Sequence, residues 1–263
     1  MSQTDKMLAR KEGGVGYIIF NNPERHNAVS LEMWEATTRI LDDYRNDDDV
    51  RVVVLTGAGT KAFISGADIS KFGAERATKE AVAHYNAMTE TAYAGVHDFP
   101  KPTIAMIRGY CIGGGLGLAA SCDMRIAAEN ARFAVPAAKL GLGYDYPGLK
   151  RLIDVVGPSF TKEIFFTARQ FDAEEARAMG FVNRVVPEAQ LEDFVRNYAD
   201  TIAANAPLTV ASVKFIVGQA LLGEAERDMP AIAASVQRCF ASQDYIEGRS
   251  AFMEKRKPVF TGR

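Results

Sequence analysis

Short apolar runs recur along the first part of the chain. Val15–Phe20, Val50–Leu55 and Thr103–Ile107 are nearly continuous in apolar, β-prone residues. A strand whose sheet is covered on both faces needs such a run, because neither side of the strand meets water. The pattern therefore predicts a buried sheet.

Apolar residues at helical spacing separate and follow these runs. Ser30 is placed to be the N-cap of one helix, Lys79–Phe99 is helical in composition, and the pattern is helical throughout the last quarter of the chain. Lys71–Thr78 is polar and predicts a loop or a short helix. We therefore expect repeated strand–strand–helix units over residues 1–187 and a helical region over residues 188–263.

Composition narrows the class of protein. A chain of 263 residues that is 48% hydrophobic can bury a full core. The net charge of −2 gives no general attraction to nucleic acid or to an anionic membrane. No apolar run approaches the roughly 20 residues of a membrane span, and the polar start lacks a signal-peptide core. We therefore expect a cytoplasmic protein.

The cysteines and histidines do not indicate a metal site. The three cysteines and three histidines of the chain have no metal-ligand spacing. Buried free thiols and no bound metal are the expectation.

The stretch Gly109–Asp123 has the composition of a glycine turn that leads into a tightly packed helix. Three consecutive glycines, Gly113–Gly115, allow backbone conformations that other residues avoid and let a ligand approach the main chain. The first N–H groups of a helix have no intrahelical acceptor, and the helix dipole adds positive potential there. The stretch matches no nucleotide or dinucleotide fingerprint. It predicts a site for an anion, or for an oxygen that becomes one.

A second turn strengthens this interpretation. Phe63–Ile69 follows a predicted strand and again contains a glycine beside a small residue. One N–H from each turn, converging on one oxygen, would form an oxyanion hole.

Together with Asn27-Ala28 and Phe252–Lys257, these turns resemble the crotonase superfamily, also called the enoyl-CoA hydratase/isomerase family. The similarity runs from about residue 15 to residue 258. It implies an α/β fold, a crotonase-like spiral of ββα repeats with a C-terminal helical region that packs against neighbouring subunits in a homotrimer or hexamer. It also implies an acyl-CoA or enoyl-CoA substrate whose carbonyl oxygen is held by the N–H groups of Ala67 and Gly114. No cofactor is implied, because CoA is part of the substrate.

The chain departs from the family's hydratases at two positions. Those enzymes activate water with two glutamates, one two residues after the glycine triplet and one after the proline of the motif at Phe133–Ala137. The matching residues here are Gly117 and Ala137. Neither side chain can exchange a proton, so the two-glutamate hydration mechanism is not expected.

Asp145 offers another acid. It stands where some isomerases and the aryl-CoA dehalogenases of the superfamily carry an aspartate, and a carboxylate there would move a proton between two acyl carbons. Alternatively, it caps a turn or a helix that begins near Leu149. Dehalogenases also need a tryptophan and a histidine, and the matching residues here are Ala137 and Glu90. Glu90 is either a second catalytic carboxylate or part of a solvated helix face.

Further family positions concern substrate binding. Arg25 and Lys255 resemble cations near the CoA phosphates, with surface cations as the alternative. The resemblance also assigns to the substrate a group of residues along the adenine and pantetheine wall and the tail that covers it, namely Ala28, Ala62, Asp68, Ile69 and Phe252.

Double-bond isomerisation is the leading hypothesis, because it needs only one proton shuttle, Asp145, beside the oxyanion hole of Ala67 and Gly114. The alternatives are hydration by a non-standard site, acyl-CoA decarboxylation, thioester hydrolysis, and acyl-CoA binding without turnover, in which Asp145 is a cap.

Overall fold

The computed structural model describes residues 4–71, 73 and 77–263. Its strands are β1 (Met7–Glu12), β2 (Val15–Phe20), β3 (Val52–Gly57), β4 (Ala62–Ile64), β5 (Thr103–Ile107), β6 (Tyr110–Ile112), β7 (Met124–Ala128), β8 (Arg132–Ala134), β9 (Phe171–Asp172) and β10 (Arg184–Val186). Its helices are α1 (Leu31–Arg45), α2 (Lys79–His97), α3 (Gly114–Ser121), α4 (Ala137–Leu140), α5 (Tyr146–Thr167), α6 (Ala173–Ala178), α7 (Leu191–Ala204), α8 (Pro207–Ala220), α9 (Met229–Phe240) and α10 (Gln243–Glu254).

The strands form two sheets. The larger has the order β1-β2-β3-β5-β7-β10, and the smaller has the order β4-β6-β8-β9. Only β1 with β2 and β8 with β9 pair in antiparallel fashion; the other pairs are parallel. Three times in succession, one strand enters the larger sheet, the next enters the smaller sheet, and a helix follows. The result is a mixed α/β fold of stacked ββα turns.

Alternate residues of each long strand serve two different cores. In β3, Val53 and Leu55 join the core shared with the first helices, whereas Val52 and Val54 pack toward α7. Successive side chains of a strand point to opposite faces, so a strand covered on both sides is apolar at every position. This explains why the predicted strand runs lack a polar alternation.

Most element predictions from the sequence are confirmed, with shifts at the ends. Val15–Phe20 and Thr103–Ile107 are strands as predicted, and the predicted run Val50–Leu55 is a strand two residues later. The polar start of the chain, for which no element was predicted, contains β1, which pairs with β2 as an edge strand. Of the predicted loop Lys71–Thr78, residues 72 and 74–76 lie outside the described residues.

After residue 187 the described chain is helical. The face of α7 formed by Leu191, Val195 and Ala199 is buried against the larger sheet. No single helix in the described ranges is long and apolar enough to cross a membrane, and only α7 taken with its preceding turn and α8, across a bend of 103°, reaches that length and composition. The last three helices instead carry many exposed apolar side chains, such as Val213, Phe240 and Met253.

Candidate active site

The two turns expected to form the oxyanion hole lie side by side. They follow β4 and β6, which are adjacent parallel strands, so both turns leave the same edge of the smaller sheet. Gly66 and Gly113 have φ angles of 115° and 54°, which favour glycine. A Cβ atom built on Gly113 would lie 4.0 Å from Cα of Gly66, and one on Gly66 would lie 3.6 Å from the carbonyl oxygen of Ile112. The turns are therefore in contact.

The N–H of Ala67 faces away from its neighbouring segment. On either side of it, the carbonyl of Gly66 accepts from the N–H of Val29 at 2.9 Å, and the N–H of Asp68 donates to the carbonyl of Val29 at 2.9 Å. Because these groups alternate along an extended chain, the N–H of Ala67 points to the opposite side. Within the part of the chain that the structure describes, it has no acceptor.

Gly114 is the first residue of α3, and its N–H also lacks an acceptor among the described residues. The N–H of Gly113, just before it, donates to the carbonyl of Ala134 at 2.8 Å, which fixes the turn to β8. A Cβ atom on Gly115 would lie 2.5 Å from the carbonyl oxygen of Ile64. Only glycine at 115 therefore allows α3 to approach β4 this closely. Ala67 and Gly114 are both half-buried, so a substrate oxygen can reach them.

The opposite end of α3 is closed by a buried cation. The guanidinium of Arg125 donates to the carbonyls of Ala119 and Cys122, at the C-terminus of this helix, and to the carbonyl of Phe181. Arg125 is only 4% exposed. Positive charge near a helix C-terminus satisfies the last carbonyls and opposes the negative end of the dipole. Arg125 thus anchors the C-terminal end of α3, the helix that begins at Gly114.

Asn27 holds the first segment of the site, a role that the sequence analysis did not predict. Its side chain is buried, accepts from the N–H of Asn22 at 2.9 Å, and donates to the carbonyls of Ala58 and Ala62 at 2.9 and 2.8 Å. These bonds fix the loop that delivers Val29 to Ala67. Asn27 has a φ of 55°, a conformation that asparagine tolerates better than most residues. The residue type was therefore the only signal in the sequence.

Asp145 occupies the N-cap position of α5, but its side chain makes no capping hydrogen bond. The helix begins at Tyr146 rather than near Leu149, and the backbone carbonyl of Asp145 accepts from the N–H of Leu149 at 3.3 Å. The residue is exposed. Asp145 thus immediately precedes α5, a helix that packs against α3.

Glu90 has a different environment from either one expected. It is on α2, and its two carboxylate oxygens pair with the two terminal nitrogens of Arg151 on α5, one of them at 3.0 Å. The side chain of Arg151 is 10% exposed, whereas that of Glu90 is 41% exposed. A bidentate pair with a buried guanidinium is neither a solvated helix face nor a free proton acceptor. The structure therefore gives Glu90 a partner that sequence reasoning missed, Arg151.

Tyr93 lies beside Gly117, the residue that matches the first glutamate of the family's hydratases. A Cβ atom on Gly117 would lie 3.0 Å from Cε2, Cζ and Oη of Tyr93. The second such position, Ala137, is buried at the start of α4. Burial raises the pKa of the Tyr93 phenol well above its ordinary value of 10.0, and nearby Tyr144 and other groups add to this. The space over the first turn of α3 is thus filled by a neutral phenol.

Arg25 and Asp68 lie together beside the Ala67 turn. The guanidinium of Arg25 is 3.8 Å from Oδ1 of Asp68, and the same oxygen accepts from the N–H and the hydroxyl of Ser70 at 3.0 and 2.6 Å. Burial opposes ionisation of Asp68, but the bonds from Ser70 and the charge of Arg25 outweigh it and lower the pKa of the carboxyl. Arg25 is exposed, so its charge remains open to a ligand.

The remaining expected binding residues are spread over two parts of the molecule. Ala28 is half-buried next to the Ala67 turn, and Ala62 is 1% exposed within β4. Ile69 begins a short helical turn, and its side chain lies outside what the structure describes. Phe252 and Lys255 are at the end of α10, where Phe252 is 83% exposed. Phe252 is therefore largely uncovered by the described part of the chain, and its role stays a prediction.

The cysteines are free, as expected, although burial holds for only two of them. Cys111 and Cys122 are buried, and Cys239 is half-buried. Burial raises the pKa of Cys122 to about 12 and that of Cys111 well above its ordinary value, so neither is a nucleophile near neutral pH. Among the described residues, no group of three or more histidine, cysteine, aspartate or glutamate side chains is placed to hold a metal ion.

The chain is similar to known proteins over nearly its whole length. Residues 10–263 match the family model described as enoyl-CoA hydratase/isomerase. A short-chain-enoyl-CoA hydratase of Clostridium acetobutylicum is 32% identical over 255 residues, which is 97% of each chain. A carnitinyl-CoA dehydratase of Proteus mirabilis is 36% identical over 267 aligned positions that cover 100% of both chains.

A solved structure shares both sheets and the C-terminal helices. An enoyl-CoA hydratase/carnithine racemase from Magnetospirillum magneticum superimposes with a TM-score of 0.94 and 37% sequence identity, over 99% of this chain and 97% of that one. The likeness therefore extends through the turns, the sheets and the last helices.

Proposed function

Because the chain belongs to the enoyl-CoA hydratase/isomerase family, we propose that it acts on an enoyl-CoA thioester and moves the carbon–carbon double bond within the acyl chain. In this proposal the N–H groups of Ala67 and Gly114 hold the thioester oxygen, and Asp145 is the acid and base. Arg25 contributes positive charge near the CoA phosphates.

The observation that carries the proposal is the contact between the two turns. Two N–H groups that have no acceptor among the described residues stand on neighbouring turns, one of them at a helix N-terminus. Preorganised donors of this kind stabilise negative charge as it develops on an oxygen, which is the central demand of enolate chemistry.

The proton route follows from the carboxylates. Asp145 takes a proton from the γ carbon of a 2-enoyl thioester, and the electrons of that C–H bond pass to the thioester oxygen as a dienolate. The same carboxyl then returns the proton to the α carbon, so the double bond moves and no water is consumed. Gly117 and Ala137 support this route over water addition, because neither bears an acid.

Water addition or removal is the second candidate, and the names of the relatives favour it. Two of them are called a short-chain-enoyl-CoA hydratase and a carnitinyl-CoA dehydratase. In this chain such a reaction would need a water-activating group other than residues 117 and 137.

A single experiment separates these reactions. A panel of enoyl-, hydroxyacyl- and malonyl-type CoA thioesters is incubated with the protein in deuterated water, and the products are identified by mass spectrometry. The proposal expects deuterium at the α or γ carbon without net addition of water. Hydrated product as the main outcome would support the second candidate instead, and saturable binding with neither exchange nor product would indicate a binding protein.

A further inference from the structure

Tyr93 makes the only side-chain hydrogen bond to the main chain of Gly114 among the described residues. Its hydroxyl donates to the carbonyl of Gly114 at 2.8 Å. Its ring lies edge-on against Trp34, with the centroids 5.4 Å apart and the planes at 85°. Trp34 is fully buried and donates through Nε1 to the hydroxyl of Tyr85 at 3.1 Å. The phenol of Tyr93 is therefore held by the core and aimed at the first residue of α3.

The hydrogen bond from Tyr93 is made to a segment of three consecutive glycines. Gly113, Gly114 and Gly115 have no side chains, and glycine loses more conformational freedom than any other residue when it is fixed. The turn before Gly114 is tied to β8 by the bond from Gly113 to Ala134, and Gly115 is packed on β4. Between these two points, Tyr93 supplies the bond to Gly114 itself.

We propose that Tyr93 is a positioning residue for the oxyanion site: its hydroxyl holds the Gly114 residue so that the N–H of Gly114 stays aimed at the substrate oxygen. This inference rests on the proposed function, because it needs the N–H of Gly114 to be an oxyanion donor. It adds a residue on α2, 21 positions before the glycine, to the machinery of the turn.

The chemistry of Tyr93 suits positioning rather than proton transfer. Its pKa is raised well above 10 by burial, so the hydroxyl stays protonated and acts as a neutral donor. Its proton is already given to a carbonyl that belongs to the protein. An oxyanion donor displaced by a few tenths of an ångström loses part of its effect, since such donors work by being fixed before the reaction.

The test uses Tyr93→Phe, which keeps the ring and removes the hydroxyl. Tyr44→Phe is the matched control, because the hydroxyl of Tyr44 also donates to main-chain carbonyls, those of Arg10 and Tyr17 at 3.1 Å, which belong to β1 and β2 and not to either turn. The probe is acetoacetyl-CoA, whose enolate absorbs in the near ultraviolet, so that its apparent pKa when bound reports directly on the oxyanion site.

The wild-type protein is expected to lower the apparent pKa of bound acetoacetyl-CoA relative to the free thioester. Tyr93→Phe is expected to raise it again by about half to one pH unit, and to slow deuterium exchange by about threefold to tenfold, which is the worth of one hydrogen bond. Affinity for butyryl-CoA, which forms no enolate readily, is expected to change by less than about twofold. Tyr44→Phe is expected to alter thermal stability without moving either readout.

The outcomes separate the oxyanion site of the proposed function from the positioning role of Tyr93. If the wild-type protein does not lower the apparent pKa of acetoacetyl-CoA, the oxyanion site of the proposed function is absent. If the wild-type protein and the Tyr93→Phe variant lower the apparent pKa of acetoacetyl-CoA equally, Tyr93 does not position Gly114. Equal shifts in Tyr93→Phe and Tyr44→Phe would also overturn the inference, because they would indicate general loosening of the core.

Discussion

Asp145 and Glu90 are the two carboxylates that the sequence suggests for proton transfer, and both adjoin α5. Asp145 precedes the first residue of this helix, is exposed, and has no hydrogen-bond partner for its side chain among the described residues. Glu90 reaches α5 one and a half turns further along and is paired with both terminal nitrogens of Arg151. The same helix therefore leaves one carboxylate free and engages the other.

This difference bears on catalysis. A carboxylate whose two oxygens both accept from one guanidinium is aimed at that partner, so it is poorly placed to take a proton from carbon. A carboxylate without a partner keeps both oxygens available. Asp145 therefore remains the proposed proton shuttle, whereas Glu90 attaches α2 to α5 through Arg151.

Removing the free carboxylate should have the largest effect. Asp145→Asn keeps the size of the side chain and removes its ability to accept a proton, so turnover is expected to fall by about 10²–10⁴-fold, while affinity for the CoA thioester persists. Steady-state kinetics with isothermal titration of butyryl-CoA measures both quantities.

Asp154→Asn is the matched control for this variant. Asp154 lies on the same helix and pairs only with Lys150, at 2.6 Å, on the outer face. It should retain turnover. Unchanged activity in Asp145→Asn would show that Asp145 is merely the residue before a helix.

Freeing the paired carboxylate should mainly affect stability. Arg151→Met leaves Glu90 without its partner and removes a largely buried guanidinium, so the free energy of unfolding is expected to fall by about 1–3 kcal/mol, less than for a fully buried pair because Glu90 is partly exposed. Denaturant unfolding measures the change. Arg169→Met, which breaks more exposed pairs with Glu163 and Glu175, should cost less. A smaller loss for Arg151→Met than for Arg169→Met would contradict the comparison.

Neutralising Glu90 in place should have a smaller effect still. Glu90→Gln keeps one acceptor oxygen for Arg151, so the expected loss is about 1 kcal/mol in stability and less than about threefold in turnover. Parallel kinetic and unfolding measurements on this variant and Asp145→Asn test the assignment. If Glu90→Gln lost as much turnover as Asp145→Asn, the paired carboxylate would be part of the chemistry.

The strands could be predicted from the sequence where their apolar runs are long. β2 and β5 were predicted with their observed ends, because their residues form nearly continuous apolar, β-prone runs. β4 and β6 are only three residues long, and Tyr110 of β6 is exposed, so no run marks them. Neither was predicted as a strand, although together they place the two glycine turns side by side.

The site divides in the same way. The turns at Ala67 and Gly114 could be located because glycine and small residues serve a local backbone conformation. Tyr93 and Arg151 could not, because their partners are 21 and 61 positions away and depend on how α2 crosses α3 and α5. A tyrosine three residues after Glu90, on the same face of one helix, was the available signal.

A third carboxylate, Glu247, is paired like Glu90 but lies far from the turns, so it should have the smallest effect. The hydrogen bonds from Arg256, and then from the N–H of Val259, lower the pKa of Glu247 from 4.5 to about 2. Because the folded pKa is depressed, the attachment of the C-terminal tail that this pair provides should be complete above pH 4.5 and lost as the pH falls through about 2. Carboxyl carbon NMR should show a titration midpoint near 2 in the wild-type protein, and Arg256→Met should return it toward 4.5. A wild-type midpoint already at the ordinary value would show that the pair with Arg256 does not hold the carboxylate of Glu247 ionised, and the contrast between Asp145 and Glu90 would then rest on the geometry of their hydrogen bonds alone.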